Sequence, residues 1–291
     1  MGKTLRTPDF LVIGAMKSGT TTLFRDLDQH PRVFFPDEKE PNSLSSDDVL
    51  TPRGLKAYLK LFRAAPTSAL CGEASTMYTM SPMYNGAPGR ALKVIGPDLR
   101  VIYIVRNVIG RCVSHYNHWL DTGRVSGDID SELRRESHYV DFSRYATQIE
   151  RWTSVFPTSQ VMCVGFEQYS ASRCAGAAKV FSFLGLEPVK LASTEVWNSR
   201  AQRRTPMRLA GWFANSAIYR KTLRRAMSGD LRRRLGASVS YRKEANSYRR
   251  PSAETVEYLH GMLKKDAGVF RETWGIKVLG SLEESISTFA S

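Results

Sequence analysis

The stretch DFLVIGAMKSGTTTL, residues 9–23, limits what this chain can fold into more than any other. Its first half, DFLVIGA, is a short apolar run ending in glycine. That is the pattern of a strand buried on both faces, as in a parallel sheet. The second half begins with hydroxyl residues suited to a helix N-terminus, and His30-Pro31 ends the helical pattern. A strand, a glycine-bearing turn and a helix N-terminus together make an anion site. Backbone N–H groups point outward there, and the helix dipole favours negative charge. Gly14 and Gly19 keep the glycine spacing of a nucleotide-triphosphate loop, Gly-x-x-x-x-Gly-Lys-Ser/Thr. Thr20 takes the place of that loop's lysine, and the lysine of this chain comes early, at Lys17. The glycines let the backbone approach a phosphate closely. Lys17 adds a point charge, and Ser18, Thr20 and Thr21 add hydroxyl donors.

Further apolar runs match the first. RVIYIV (100–105) and QVMCVGF (160–166) are the clearest, with RVFF (32–35) and ALCGEAS (69–75) as shorter examples. Helical patterns lie between and after them, at 53–62, 143–156 and 177–186. Alternating strands and helices predict βαβ units and a parallel sheet. The expected fold class is therefore α/β, a P-loop-like parallel sheet flanked by helices. Past Asn198 the strand signals stop. A basic helical stretch is expected there, then a helix over 252–275 with Ser252 as N-cap. One domain over 1–291 is the economical organisation, with a core of about 9–206 and a basic helical extension over about 207–291.

The formal net charge of +14 is concentrated. Between Arg200 and Arg250, thirteen arginines and two lysines stand against Asp230 and Glu244. A solvated basic surface is one reading of this segment. An anionic cofactor, an acidic substrate, an anionic membrane surface or a nucleic acid are the others. Cys71, Cys112, Cys163 and Cys174 have no Cys-x-x-Cys spacing, which suits buried or semi-buried thiols in a reducing compartment. No apolar run nears the ~18 residues that would span a membrane, and the N-terminus lacks the apolar core of a signal peptide. A cytoplasmic protein of bacterial type is expected, with membrane association through Arg200–Arg250 left open.

A kinase or ATPase also needs Mg²⁺, usually held by a loop hydroxyl and an acidic residue on a strand. Here the strand RVIYIV ends in Arg106. An arginine at that strand tip suggests a second phosphate bound without metal, and so a nucleotide with phosphates at two separate ends. KSGTTTL (17–23) and RNVIGRCVSHYNH (106–118) together resemble the PAPS-dependent sulfotransferases, PAPS being 3′-phosphoadenosine 5′-phosphosulfate. The likeness is to the bacterial and heparan-sulfate branches. It continues through HPRVFFPDEKEP (30–41), GEASTMY (72–78), RYATQIERWTSVFP (144–157), 166–186 and NSRAQRRTP (198–206).

The resemblance implies roles for particular residues. The early-lysine loop, Lys17 to Thr21, would bind the 5′-phosphosulfate. Arg106 and Ser114 would bind the 3′-phosphate. Arg203 and Arg204 would lie on a late loop closing over the nucleotide. Glu40 aligns with the family's general base, a role a carboxylate can fill, and Glu73 is the second candidate. Arg111, on the same helical stretch as Arg106, is either a phosphate ligand or a surface arginine. His115 and His118 read as structural or cleft residues, and Tyr116, Trp119 and Trp152 as core. The chain also departs from the family: Ala74 and Ser75 stand where heparan-sulfate relatives place a lysine after the strand glutamate, and PNSLSSDD (41–48) replaces an aromatic pair. The acceptor pocket should differ accordingly. The expected reaction is metal-independent sulfuryl transfer to a small-molecule, glycan or lipid acceptor. A P-loop kinase, or a non-enzymatic protein binding anionic surfaces or nucleic acid, is the alternative.

Overall fold

The computed structural model describes residues 6–192, 204–206, 240–242 and 248–291. Its centre is a five-stranded sheet whose neighbouring strands all pair in parallel. The strands are β1 (Phe10–Gly14), β2 (Val33–Phe34), β3 (Leu70–Ala74), β4 (Arg100–Val105) and β5 (Val161–Gly165), in spatial order β2-β3-β1-β4-β5. Each of the five apolar runs read from the sequence forms one of them. They are apolar throughout because both faces are covered. On one face, Leu11, Ile13, Val101, Tyr103 and Val105 enter a core that also holds residues of helices α4 (Val108–Asp121), α7 (Tyr145–Thr153) and α10 (Ala253–Trp274). On the other, Phe10, Val12, Ile102 and Ile104 pack with α1 (Thr20–Leu27) and α9 (Arg173–Phe183). Alternate side chains of a strand point to opposite faces, so one apolar run serves both cores.

The chain runs from β1 out to β2 at the sheet edge, returns to β3 beside β1, and then crosses to β4 on the other side of β1. In an open parallel sheet, such a reversal leaves a crevice at the carboxyl ends of the strands, where ligands bind. The loops after β1, β3 and β4 all open at that edge.

Chain ends are tied back onto this frame. Ser252 caps α10 as expected, its hydroxyl accepting from Thr255 N. Asp266, midway along α10, accepts from Ala146 N and Thr147 N at 3.0 and 2.9 Å and so caps α7 from a distance. The Asn117 side chain on α4 brackets the backbone of Arg249, donating to its carbonyl and accepting from its N–H, both at 2.9 Å. A last helix, α11 (Leu282–Phe289), begins with a Ser281–Glu284 capping box.

Two expectations need correction. Strands do not stop at Asn198: β6 (Arg204–Pro206) and β7 (Ser240–Arg242) form a short antiparallel pair. Three-residue strands are too short to carry an alternating pattern, and β7 falls inside the stretch expected to be helical. Cys174 is exposed rather than buried, while all four thiols are free. The remaining basic residues from 207 to 239 lie outside the described residues. Among the described residues, no helix is long and apolar enough to cross a membrane.

Candidate active site

The loop after β1 is built as the glycine spacing requires. Gly19 has φ +90°, and a Cβ on it would run into the Phe166 ring at the start of α8 (Phe166–Ala171). Thr22 N and Leu23 N then donate to Gly19 O at 2.9 and 3.1 Å, which starts α1 directly behind the loop. Ser18 is fully buried, its hydroxyl 3.4 Å from the Tyr145 hydroxyl of α7. Burial raises that tyrosine to about 12, against the opposing pull of Arg111 and the contact with Ser18. Thr20 is buried at the first position of α1, and Thr21 beside it is half-buried.

Arg106 follows β4 and lies next to the loop. Its Nη1 donates to Lys17 O at 3.3 Å, and its guanidinium sits 5.7 Å from the Phe166 ring centroid. Arg106 Nε is buried and has no hydrogen-bond partner among the described residues. A buried unpaired donor costs about 1–3 kcal/mol, so this one suits an acceptor brought by a ligand. Asn107 then starts α4, its side chain accepting from Ile109 N and Gly110 N. Ser114 lies two turns along α4, half-buried. Thus the structure joins Lys17 to Arg106 directly, whereas among the described residues no side-chain hydrogen bond links Ser114 to either.

Glu40 enters from the far side of β1. Its N–H donates to Ala74 O at 3.0 Å, which docks the loop at the carboxyl end of β3. Its carboxylate is clamped on both oxygens: Lys39 Nζ lies 3.0 Å from Oε1, and Thr76 Oγ1 donates to Oε2 at 3.3 Å. Lys39 Nζ also donates to Thr21 Oγ1 at 3.2 Å. The second candidate, Glu73, is placed quite differently. It is fully buried on β3 and accepts from Tyr58 and Tyr78 hydroxyls at 2.5 Å each and from Ser75 Oγ at 2.7 Å. Burial raises its carboxyl above the usual range, and those three hydrogen bonds pull it back only in part. Ser75 Oγ in turn accepts from Asn42 N at 3.1 Å, and Tyr78 OH accepts from Leu44 N at 3.1 Å. Glu73 therefore anchors the loop that carries Glu40.

Among the described residues, the non-glycine positions with left-handed backbone are Lys17 (φ 68°), Glu40 (φ 59°) and Asn42 (φ 55°). Such conformations cost roughly 1–3 kcal/mol each and gather at functional sites. All three lie at this edge of the sheet.

Other residues are sorted by burial. Arg111 is not a surface arginine: it is fully buried, with Nε on Ser143 Oγ at 2.5 Å and Nη2 on Tyr139 O at 2.7 Å. Tyr116 and Trp152 are core residues, as read from the sequence; Trp119, read as core, is half-buried, and His115, read as structural or cleft, is fully buried. Arg203 lies outside the described residues, and Arg204 is described only as the backbone of β6. Lys39 was missed by sequence reasoning. Its neighbours in EKE make it look like part of a solvated loop, although its position directly before Glu40 was a signal.

A parallel sheet with an anion loop at its central strand and an arginine at the next strand defines a P-loop-like α/β protein built to hold a nucleotide's phosphates. The chain belongs to the sulfotransferase family: the family model described as "Sulfotransferase domain" matches residues 7–239. Among curated relatives, it is 26% identical over 196 residues to human heparan sulfate glucosamine 3-O-sulfotransferase 6, covering 63% of this chain and 54% of that enzyme. It is 28% identical over 205 residues to mouse bifunctional heparan sulfate N-deacetylase/N-sulfotransferase 4, covering 62% of this chain and 22% of that protein. The chain thus spans about half the length of the first of these relatives and less of the second. In fold it is similar to a sulfotransferase from Alicyclobacillus acidocaldarius, with TM-score 0.60 and 24% identity over 91% of this chain and 99% of that one. It is also similar to mouse sulfotransferase SULT7A1 complexed with PAP, with TM-score 0.50 and 14% identity over 97% and 91% of the two chains.

Proposed function

We propose that this chain is a single sulfotransferase domain that moves a sulfuryl group from PAPS to a hydroxyl or amine of an acceptor. The observation that carries the proposal is the contact between the early-lysine loop and Arg106. Two anion-binding elements, at the ends of neighbouring strands, suit a donor with a 5′-phosphosulfate and a 3′-phosphate. Lys17, Ser18, Gly19, Thr20 and Thr21 hold the first. Arg106 holds the second through its buried Nε, unpaired among the described residues, with Ser114, and with Arg203 and Arg204 from the late loop.

In the transfer, the bond between sulfur and the bridging phosphate oxygen breaks while a bond from the acceptor oxygen or nitrogen to sulfur forms. The electron pair of the broken bond stays on the phosphate oxygen. Lys17 and the loop N–H groups stabilise that growing charge, as preorganised donors do for an oxyanion. The acceptor's proton goes to Glu40, which is about one-third exposed and so open to an incoming acceptor. The phosphate charge is met by Lys17, Arg106 and backbone donors, so the reaction needs no metal. The heparan sulfate enzymes among the relatives support a glycan or glycolipid acceptor. The protein of this reading is cytoplasmic and of bacterial type, with Arg200–Arg250 as the part that would meet an anionic acceptor or membrane surface.

The test compares two carboxylates. Glu40→Gln keeps shape but cannot take the proton, so turnover should fall about 10²–10⁴-fold, the usual worth of a positioned base. PAP affinity should stay near that of the parent, measured by calorimetry. Glu73→Gln should instead lower stability, by roughly 1–3 kcal/mol in urea melts, because an amide cannot accept from all three hydroxyl donors. A folded Glu73→Gln protein without turnover, beside a mild Glu40→Gln, would move the base to Glu73.

A further inference from the structure

We infer that Lys39 is a positioning residue that ties the base to the donor loop, an inference resting on the assignment of Glu40 as base. Its ammonium lies between two groups that the reaction must bring together. On one side is Glu40 Oε1 at 3.0 Å, and on the other Thr21 Oγ1 at 3.2 Å, in the first turn of α1. Lys39 is thus a side-chain link between the loop that would hold the sulfuryl donor and the carboxylate that would take the acceptor's proton.

The surroundings show why such a link is needed. Glu40 sits in left-handed backbone, with its side chain 36% exposed. Among the described residues, Thr76 alone donates a hydrogen bond to its other oxygen, at 3.3 Å. One long hydrogen bond from a neutral hydroxyl does not fix a carboxylate that is about one-third exposed. A charge-assisted bond is roughly twice as strong as a neutral one. With Lys39 on one oxygen and Thr76 on the other, rotation of the carboxylate is stopped. Lys39 is itself braced. Its side chain is 27% exposed, and Nζ lies 5.9 Å from the centroid of Phe24, whose ring packs 4.3 Å from Phe35. Phe24 belongs to α1, so the lysine is held by the same helix whose N-terminus forms the anion site.

Acting in this way, Lys39 takes no proton and gives none. It orients the carboxylate toward the sulfuryl group bound at the head of α1. Loss of Lys39 should therefore slow turnover through Glu40, leaving the phosphate contacts of Lys17 and Arg106 in place.

The experiment is a double-mutant cycle on the full chain, with PAPS as donor and an acceptor found by screening, and with PAP calorimetry alongside. Lys39→Met should lower kcat by about 10–100-fold, within the range of coupling between contacting residues, with PAP affinity changed less than about 3-fold. Lys39→Arg should restore much of the loss, since it returns a cation to the bridge. In the Glu40→Gln background, Lys39→Met should cost little more, because the group it positions is already disabled. Equal losses in both backgrounds would place Lys39 on the donor or acceptor itself and overturn the positioning role. An unchanged kcat in Lys39→Met would overturn it too. An unchanged kcat in Glu40→Gln alone would instead remove the base assignment beneath it.

Discussion

Arg106 has a binding role that a substitution can isolate. Its Nη1 is spent on Lys17 O, while Nε is buried and unpaired among the described residues. An acceptor arriving at Nε gains a charged hydrogen bond without first displacing a protein partner. Arg106→Ala should therefore weaken PAP by roughly 1.5–3 kcal/mol, the worth of a hydrogen bond to a charged group. Binding of the analogue lacking the 3′-phosphate should hardly change. Calorimetry with both nucleotides decides the matter, and equal weakening of the two would place Arg106 away from the 3′-phosphate. Neighbouring residues were less legible. Arg111 resembled Arg106 in sequence, and only the closeness of Ser143 and Tyr139 shows that its charge is turned into the core. Glu40 and Glu73 were both carboxylates near a strand end. What separates them is the set of Tyr58, Tyr78 and Ser75 hydroxyls around Glu73, drawn from two segments of the chain.

The elements were easier to read than the contacts between them. β1, β4 and β5 are apolar without alternation because each is covered on both faces, a pattern visible in a single sequence. Ser252 and Gly185 mark helix ends by local chemistry, and both do so in the structure. The cap on α7 could not be read in this way, since Asp266 reaches it across some 120 positions. β6 and β7 were missed because three residues carry no period. The turn from β1 into α1 belongs between these cases. Its glycines were legible, but the reason for Gly19 is the Phe166 ring beyond β5. Gly19→Ala should destabilise the protein by about 1–3 kcal/mol, the cost of left-handed backbone for a residue with a Cβ, and should weaken PAP. Adding Phe166→Ala should recover part of the PAP affinity by removing the clash, while leaving the backbone cost. Thermal melts and calorimetry on the single and double variants separate the two contributions. Full PAP affinity in Gly19→Ala would show that the loop does not need this close approach.

At the scale of the whole molecule, stability should fall in mild acid through a group that takes no part in the reaction. His115 is fully buried on α4, and neither ring nitrogen has a hydrogen-bond partner among the described residues. It lies among aromatic rings, with Trp119, Tyr139 and His138 centroids 4.4, 4.8 and 5.3 Å away. Burial is the main cause that drives its basicity far below the ordinary 6.5, and Arg111, His138, His118 and Lys17 add positive charge in the same direction. The folded protein therefore holds His115 neutral, whereas the unfolded chain protonates it near 6.5. A depressed group contributes stability above its unfolded value and loses that contribution as the pH falls below it. The slope from this one residue approaches about 1.4 kcal/mol per pH unit. His138, also lowered chiefly by burial though raised again by Glu136, Glu132 and Asp141, acts in the same sense and less strongly. His115→Phe keeps an aromatic ring among these neighbours and removes the titration. Urea melts of both proteins at pH 7.5, 6.5 and 5.5 should give parallel values above 6.5. Below it they should diverge, with the parent losing stability faster. Equal slopes at pH 5.5 would mean that the buried ring accepts its proton without unfolding, and that the positive charges around it are screened by a partner outside the described residues.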